Sequence, residues 1–167
     1  IDLKGFSADF YRKVCGARLD PVLASIRKVA KSGVHLEIVN LVVPTLNDSK
    51  QMLADLAAWV AGEAGPDVPV HFTRFHPEYL LKTLPPPPTE TLERAKAIAD
   101  AEGLHQAFLN LIQNALDAVP AKIGVVTVSS EYDAMRRDVV VHVTDNGPGI
   151  EAAQLDRIFT PFYSAKG

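Results

Sequence analysis

The sequence predicts an α/β protein built from two unlike pieces: a partial (βα) barrel-like parallel unit of three βα repeats, then a helix and an antiparallel hairpin. Three observations carry this. Up to Gly103, β-branched runs alternate with amphipathic stretches, the rhythm of parallel strands joined by crossover helices. After Gly103 a second helical pattern follows where that rhythm calls for a strand. Beyond it, two period-two segments flank a polar turn, the mark of a hairpin. The boundary therefore falls near Gly103, dividing the chain into 1–103 and 104–167.

Taken in order, Ile1-Asp2-Leu3-Lys4 alternates like a strand and stops at Gly5. A chain that opens inside a strand reads as a fragment. Residues 9–15 are a short mixed stretch. Asp20-Pro21 reads as an N-cap with proline at the first helical position. Val22, Ile26, Val29 and Ala30 continue at helical spacing, with Gly33 placed to end the helix. Residues 34–43 form a β-branched run ending at Pro44, which reads as a strand buried on both faces. Asn47-Asp48 is placed to cap a second helix carrying Met52, Leu53, Leu56, Ala57 and Val60 inward, closed by Gly62, Gly65 and Pro66. Residues 70–75 form a third strand stopped by His76-Pro77. A loop with Pro85 to Pro88 leads to Thr89, the cap of a third helix that carries Leu92, Ala95, Ile98 and Ala99 inward. The four prolines suit a rigid loop; as an SH3-type ligand they would need an exposed, independent segment.

Residues 104–119 place Leu104, Phe108, Leu111, Ile112, Ala115 and Val119 on one stripe, opposite Gln106, Asn110, Gln113, Asn114 and Asp117. Pro120 ends that helix. Residues 123–130 and 139–144 alternate around the turn at 133–138. Asp145-Asn146-Gly147-Pro148-Gly149 is a dense turn signal, followed by a short helix over 151–157.

Composition narrows the function. Seventeen Lys+Arg against 20 Asp+Glu leave a net charge of −3, against a nucleic-acid module built on a basic face. Apolar runs fall far short of the roughly 20 residues of a membrane span. Cys15 is the single cysteine, so it closes no intrachain disulfide and builds no cysteine cage by itself. These features, with no basic-then-apolar leader, lead us to expect a cytoplasmic protein with no membrane and no nucleic-acid partner.

Asn110, Asn114 and Asp117 stand at i, i+4 and i+7 and share one helical face. Carboxamides one turn apart are neutral oxygen donors able to share a hard cation with a polyphosphate, since nucleotide-bound Mg²⁺ keeps few protein ligands. Alone they better suit a solvated stripe on a surface helix. The turn some thirty residues later adds weight: Asp145 leaves a strand as an acceptor able to read an exocyclic amine, and the glycines let backbone approach a flat ring. With this pairing, residues 104–167 resemble the ATP-binding domain of sensor histidine kinases, in the GHKL superfamily. Residues 104–118 (LHQAFLNLIQNALDA) are similar to its N box, 145–150 (DNGPGI) to its first glycine box, and 158–164 (IFTPFYS) to its F box. The resemblance implies that Asn110, Asn114 and Asp117 address Mg²⁺ and phosphates, with Asn114 reaching Mg²⁺ through ATP. It also implies that Asp145 reads the adenine amine, Gly147 and Gly149 line the base pocket, and Phe159 and Phe162 anchor the lid. That family's second glycine-rich box, which lays backbone amides on the polyphosphate, would begin just past Gly167. No histidine has the phosphoacceptor-helix context; His105 and His142 read as ordinary half-buried side chains.

In the first segment, Asp2 and Lys4 project to the same side of one strand, and His76 follows the third strand at the end where ligands meet barrel-like sheets. They equally read as a surface acid and base and a strand-ending histidine. DLKGF (2–6), FYRKVCG (10–16), LVVPTLND (41–48), FTRFHP (72–77) and TLERA (91–95) occur in sequence. As a set they resemble the later part of radical S-adenosylmethionine proteins of the pyruvate-formate-lyase-activating type, in the AmmeMemoRadiSam branch. The resemblance implies that Asp2, Lys4 and His76 surround S-adenosylmethionine. That family's CxxxCxxC loop would lie before Ile1, and one thiolate cannot replace three ligands of a four-iron cluster, so no cluster is expected. Cys15 lacks an activating base in its neighbourhood and reads as structural.

The chain thus reads as a chimera of two family fragments, their likenesses meeting at residues 103–106. Each fragment retains ligand-facing residues but is read as without the element its reaction needs, phosphate-gripping amides in one and an electron source in the other, so the composite is expected to have no turnover of its own. Residual ATP and Mg²⁺ binding is the leading function, and part of an S-adenosylmethionine pocket is the alternative. No residue is assigned a catalytic role. Open strand edges lead us to expect either pairing of the two halves or self-association.

Overall fold

A computed structural model describes residues 1–151 and 155 of the chain. The elements in order are α1 (Ala8–Lys13), α2 (Leu19–Ala30), β1 (Ile38–Val42), α3 (Lys50–Glu63), β2 (Val70–Arg74), a 3-10 turn (Tyr79–Leu81), α4 (Thr89–Ala118), β3 (Val126–Asp133) and β4 (Asp138–Asp145). The protein is a mixed α/β chain with two separate two-stranded sheets, β1–β2 and β3–β4. It divides into two compact units, Ile1–Gln106 and Ala107–Gly167.

In the first unit β1 and β2 run parallel, in register from Ile38–Val70 to Val42–Arg74. The opening segment joins β1 by a single parallel bridge at Asp2–Val39. There Leu3 N–H donates to Val39 O and Val39 N–H to Ile1 O, both at 2.9 Å. The sheet buries Ile38, Asn40 and Val42 on one face, where Leu3, Ile26, Leu36, Leu56 and Val60 complete the core with Phe10 and Tyr11. Of residues 9–15, read as a mixed stretch, 9–13 lie in α1. Ser7 Oγ accepts from Phe10 N–H at 3.3 Å, and Asp9 pairs with Arg12 and Lys13 one turn on.

Several expected boundaries move. The strand expected over 34–43 contracts to β1, because Val34 is exposed and His35 and Glu37 meet solvent. Asp20 lies inside α2 rather than capping it; the cap position is Arg18, and Pro21 is tolerated in a first turn whose N–H groups have no helical partner. The expected cap of α3 at Asn47-Asp48 is instead Ser49, whose side chain accepts from Met52 N–H at 3.2 Å. Asn47 is occupied elsewhere: Oδ1 accepts from Val43 N–H at 2.6 Å, and Nδ2 donates to Lys4 O at 2.6 Å and Leu41 O at 2.8 Å. The two helices expected on either side of Gly103 are one, α4, thirty residues long. A single interior glycine costs only about 1 kcal/mol, too little to break a helix with good formers on both sides.

In the second unit β3 and β4 form the expected hairpin, in register from Val126–Asp145 to Asp133–Asp138. Asp133 Oδ1 closes the turn, accepting from Met135 N–H at 2.9 Å and Arg136 N–H at 3.1 Å. Alternation puts Val126, Val128, Tyr132, Val139, Val141 and Val143 on one face and Thr127, Ser129, Glu131, His142 and Thr144 on the other. The helix expected over 151–157 lies, apart from residues 151 and 155, outside the described residues.

Candidate functional site

The amide-bearing helix and the glycine turn meet at one place. A Cβ on residue 147 would stand 2.8 Å from Ala118 O and 2.8 Å from Asp145 Oδ1. Only a glycine lets the end of α4 and the turn after β4 approach this closely. Asp145 Oδ1 accepts from Gly147 N–H at 2.8 Å, curling the backbone immediately after the strand. Gly149 has φ +75°, and a Cβ there would meet no atom of the described residues within 4 Å, so among these residues the turn's outer lip is open.

Two residues not singled out from the sequence hold this turn. Asn146 Oδ1 accepts from Val125 N–H at 2.8 Å, Asn146 Nδ2 donates to Ile123 O at 3.0 Å, and Asn146 N–H donates to Val125 O at 3.2 Å. Gly124 turns the chain out of α4 where a Cβ would lie 2.5 Å from Val119 Cγ2 and 2.9 Å from Pro120 O. Asparagine within Asp-Asn-Gly was a readable turn signal; the need for glycine at 124 depends on packing.

Asn110, Asn114 and Asp117 are all exposed on α4, and Asp117 Oδ1 accepts from Gln113 Nε2 at 2.8 Å. This oxygen-rich donor set suits a hard cation that keeps most of its water, and the open lip at Gly149 leaves room for a planar group. The residues present therefore fit Mg-nucleotide. Phe159 and Phe162 lie outside the described residues. His105 and His142, expected half-buried, are both exposed: His105 Nδ1 is 4.0 Å from Glu102, and His142 Nε2 is 3.2 Å from Glu131 across the hairpin.

In the first unit, Lys4 Nζ lies 3.3 Å from Asp2 Oδ2, as expected for alternate residues on one side of a strand. His76 is exposed just beyond β2, after the buried Phe75. Among the described residues no hydrogen bond or ion pair joins His76 to Asp2 or Lys4, so that triad is only partly assembled. Tyr11 belongs to this corner: its hydroxyl accepts from Lys4 N–H at 3.1 Å, and burial pushes the phenol up. Burial also pushes the Cys15 thiol up, against the favourable charge of Lys4, which suits a packing role.

Comparison with known proteins follows the same division. Residues 99–167 match the family of histidine kinase-, DNA gyrase B- and HSP90-like ATPases. The chain is 42% identical over 77 residues to the sensor histidine kinase ZraS of Salmonella typhi, covering 46% of this chain and 16% of that one. It is 46% identical over 109 residues to an uncharacterized protein of Methanocaldococcus jannaschii, covering 65% of this chain and 32% of that protein. Among solved structures, a domain of pyruvate-formate lyase-activating enzyme from Bacteroides vulgatus matches with a TM-score of 0.54 and 19% identity, over 62% of this chain and 61% of that one. The two-part likeness read from the sequence is thus found: a GHKL ATPase match in the carboxy-terminal residues and a fold shared with an activating-enzyme domain. The chain spans about a third or less of the curated relatives named. Among the described residues no helix is long and apolar enough to cross a membrane.

Proposed function

We propose that the carboxy-terminal unit is an ATP-binding module, and that these 167 residues bind nucleotide without turning it over. The supporting observation is the contact at Gly147, which sets the turn bearing Asp145 against the end of the helix bearing Asn110, Asn114 and Asp117. Asp145 Oδ1 is held by Gly147 N–H, which orients the carboxylate and leaves Oδ2 to accept the adenine amine. Gly147 and Gly149 keep Cβ atoms away from the ring, and Phe159 and Phe162 are assigned to the lid. Asn110, Asn114 and Asp117 would hold Mg²⁺ and the phosphates, Asn114 reaching the metal through ATP. When bound, Mg²⁺ would neutralise phosphate charge. The chain's own part is to orient the base and order the cation's water.

The test is thermal unfolding with millimolar Mg-ATP. Selective binding raises Tm by mass action; Asp145→Asn turns the acceptor into a mixed group and abolishes the rise. An unchanged Tm in the parent protein refutes the reading.

A second reading rests on the activating-enzyme fold and on the Lys4–Asp2 pair. Here the first unit is part of a (βα) barrel-like sheet in which Asp2, Lys4 and His76 keep one side of an S-adenosylmethionine pocket. Cys15 supplies one thiolate where a cluster of this kind needs three from the protein, so these residues bind the cosubstrate without cleaving it. Calorimetry with S-adenosylmethionine, and loss of its heat in His76→Ala, decides this reading independently of the first.

A further inference from the structure

The edge of β2 opposite β1 faces a groove of about 800 Å³, bounded on its far side by α4 and lined by Val70, Phe72, Leu92, Lys96, Asp100 and Gly103 among others. Its backbone direction follows from the register. Ile38 N–H donates to Pro69 O at 2.9 Å, and parallel pairing alternates which residues address the partner strand. His71 and Thr73 therefore turn their amides to β1, while Val70, Phe72 and Arg74 turn theirs to the groove. The edge is only lightly protected: β2 has no proline, no lysine and an unbroken register, with Arg74 at its end as its one Lys, Arg, Asp or Glu. On the opposite wall Leu92, Lys96, Ala99 and Gly103 fall on one face of α4.

We propose that this groove takes up an extended peptide of alternating apolar and basic residues, added as a further strand along β2. Backbone bonds to Val70, Phe72 and Arg74 supply the pairing, as in other strand additions to an open edge. Charge selects the occupant. Asp67, Glu93 and Asp100 stand on the rim with Lys96, and Lys96 is taken up by Asp100 at 2.6 Å. Asp67 and Glu93 then make the rim negative. A second copy of this chain would bring an identical negative rim to the same edge, which disfavours it as the occupant.

The probe is a short acetylated and amidated peptide alternating valine with lysine, its control the same peptide with glutamate for lysine, both added to the full chain. The lysine peptide is expected to slow amide exchange at Val70, Phe72 and Arg74 by at least about tenfold, leaving His71 and Thr73 unchanged. Phe72→Pro removes an outward N–H, a place where an edge strand tolerates proline, and is expected to lose the protection with little change in Tm. Should Phe72→Pro fail to fold, Glu93→Lys serves: it weakens the lysine peptide and strengthens the glutamate one. Three results overturn the proposal: no slowing at these amides, equal slowing by both peptides, or slowing that rises with protein concentration alone, which would assign the edge to a second copy. The groove lies within Ile1–Gln106 and its test is independent of nucleotide binding.

Discussion

Ala118 and Gly147 are locked in contact: the helix-end carbonyl of one occupies the space that a side chain on the other would need. Gly147→Ala forces either the turn or the last turn of α4 to move and is expected to cost about 1–3 kcal/mol. Mg-ATP should then raise Tm less than in the parent. Gly149→Ala acts differently, since its Cβ meets none of the described residues while its φ of +75° remains; its cost of about 1–2 kcal/mol comes from the left-handed backbone. Urea titrations of both variants check the pair.

Asn47 ties three backbone segments together from a buried position. Asn47→Ala leaves an N–H and two carbonyls short of partners and is expected to destabilise the first unit by about 2–4 kcal/mol. Asn47→Asp keeps the acceptor for Val43 but sets an oxygen against the carbonyls of Lys4 and Leu41, so it should not rescue. Circular dichroism against urea gives the comparison.

Gly124 and Val119 form a steric pair. Gly124→Ala places a methyl against Val119 Cγ2 and is expected to cost about 1–3 kcal/mol. Val119→Ala added to it removes the closest contact, with Cγ2, and should recover only a small part of that loss, since Cβ of residue 119 at 2.7 Å and Pro120 O at 2.9 Å remain in the way. A double-mutant cycle measures the coupling.

Glu37 binds two imidazoles, His35 Nε2 at 3.0 Å and His71 Nε2 at 3.3 Å. The hydrogen bond from His35 and the charge of His71 hold its carboxyl below the ordinary 4.5. A depressed acid stabilises the fold above its unfolded value and loses that contribution as pH falls through the folded one. The loss therefore falls below about pH 4.5. His35→Ala should move the Glu37 titration upward, read from its side-chain carbon by NMR, and Glu37→Gln should remove this limb from the acid melting curve.

Local periodicity made most of the architecture legible. The alternation through Val126, Val128, Val139, Val141 and Val143 placed the hairpin, and the spacing of Ile26 and Ala30 gave the buried side of α2. The Asn110–Asn114–Asp117 face and the Asp145 turn were legible as motifs. Their contact through Gly147 was not, because it depends on how α4 ends. Elsewhere tertiary structure overrode local signals. Asn47 looked like a cap but bonds chain some forty residues distant; Gly103 looked like a terminator but sits inside α4, where a Cβ would only touch Pro66 O at 3.8 Å. His76 was grouped with Asp2 and Lys4 from strand ends and a family resemblance, neither of which fixes side-chain contact.

Asn40 sits fully buried in the middle of β1, with Nδ2 on Leu3 O at 2.7 Å and Oδ1 lacking a hydrogen-bond partner among the described residues. A buried acceptor left idle costs about 1–3 kcal/mol. It also works as a registration mark: if the opening segment slid by one residue, the amide donor would be stranded as well. Leucine at this position would remove the idle oxygen but leave Leu3 O without its donor, exchanging one unpaired buried oxygen for another; what it would give up is the penalty on misaligned sheets, so the native residue serves alignment rather than thermal margin.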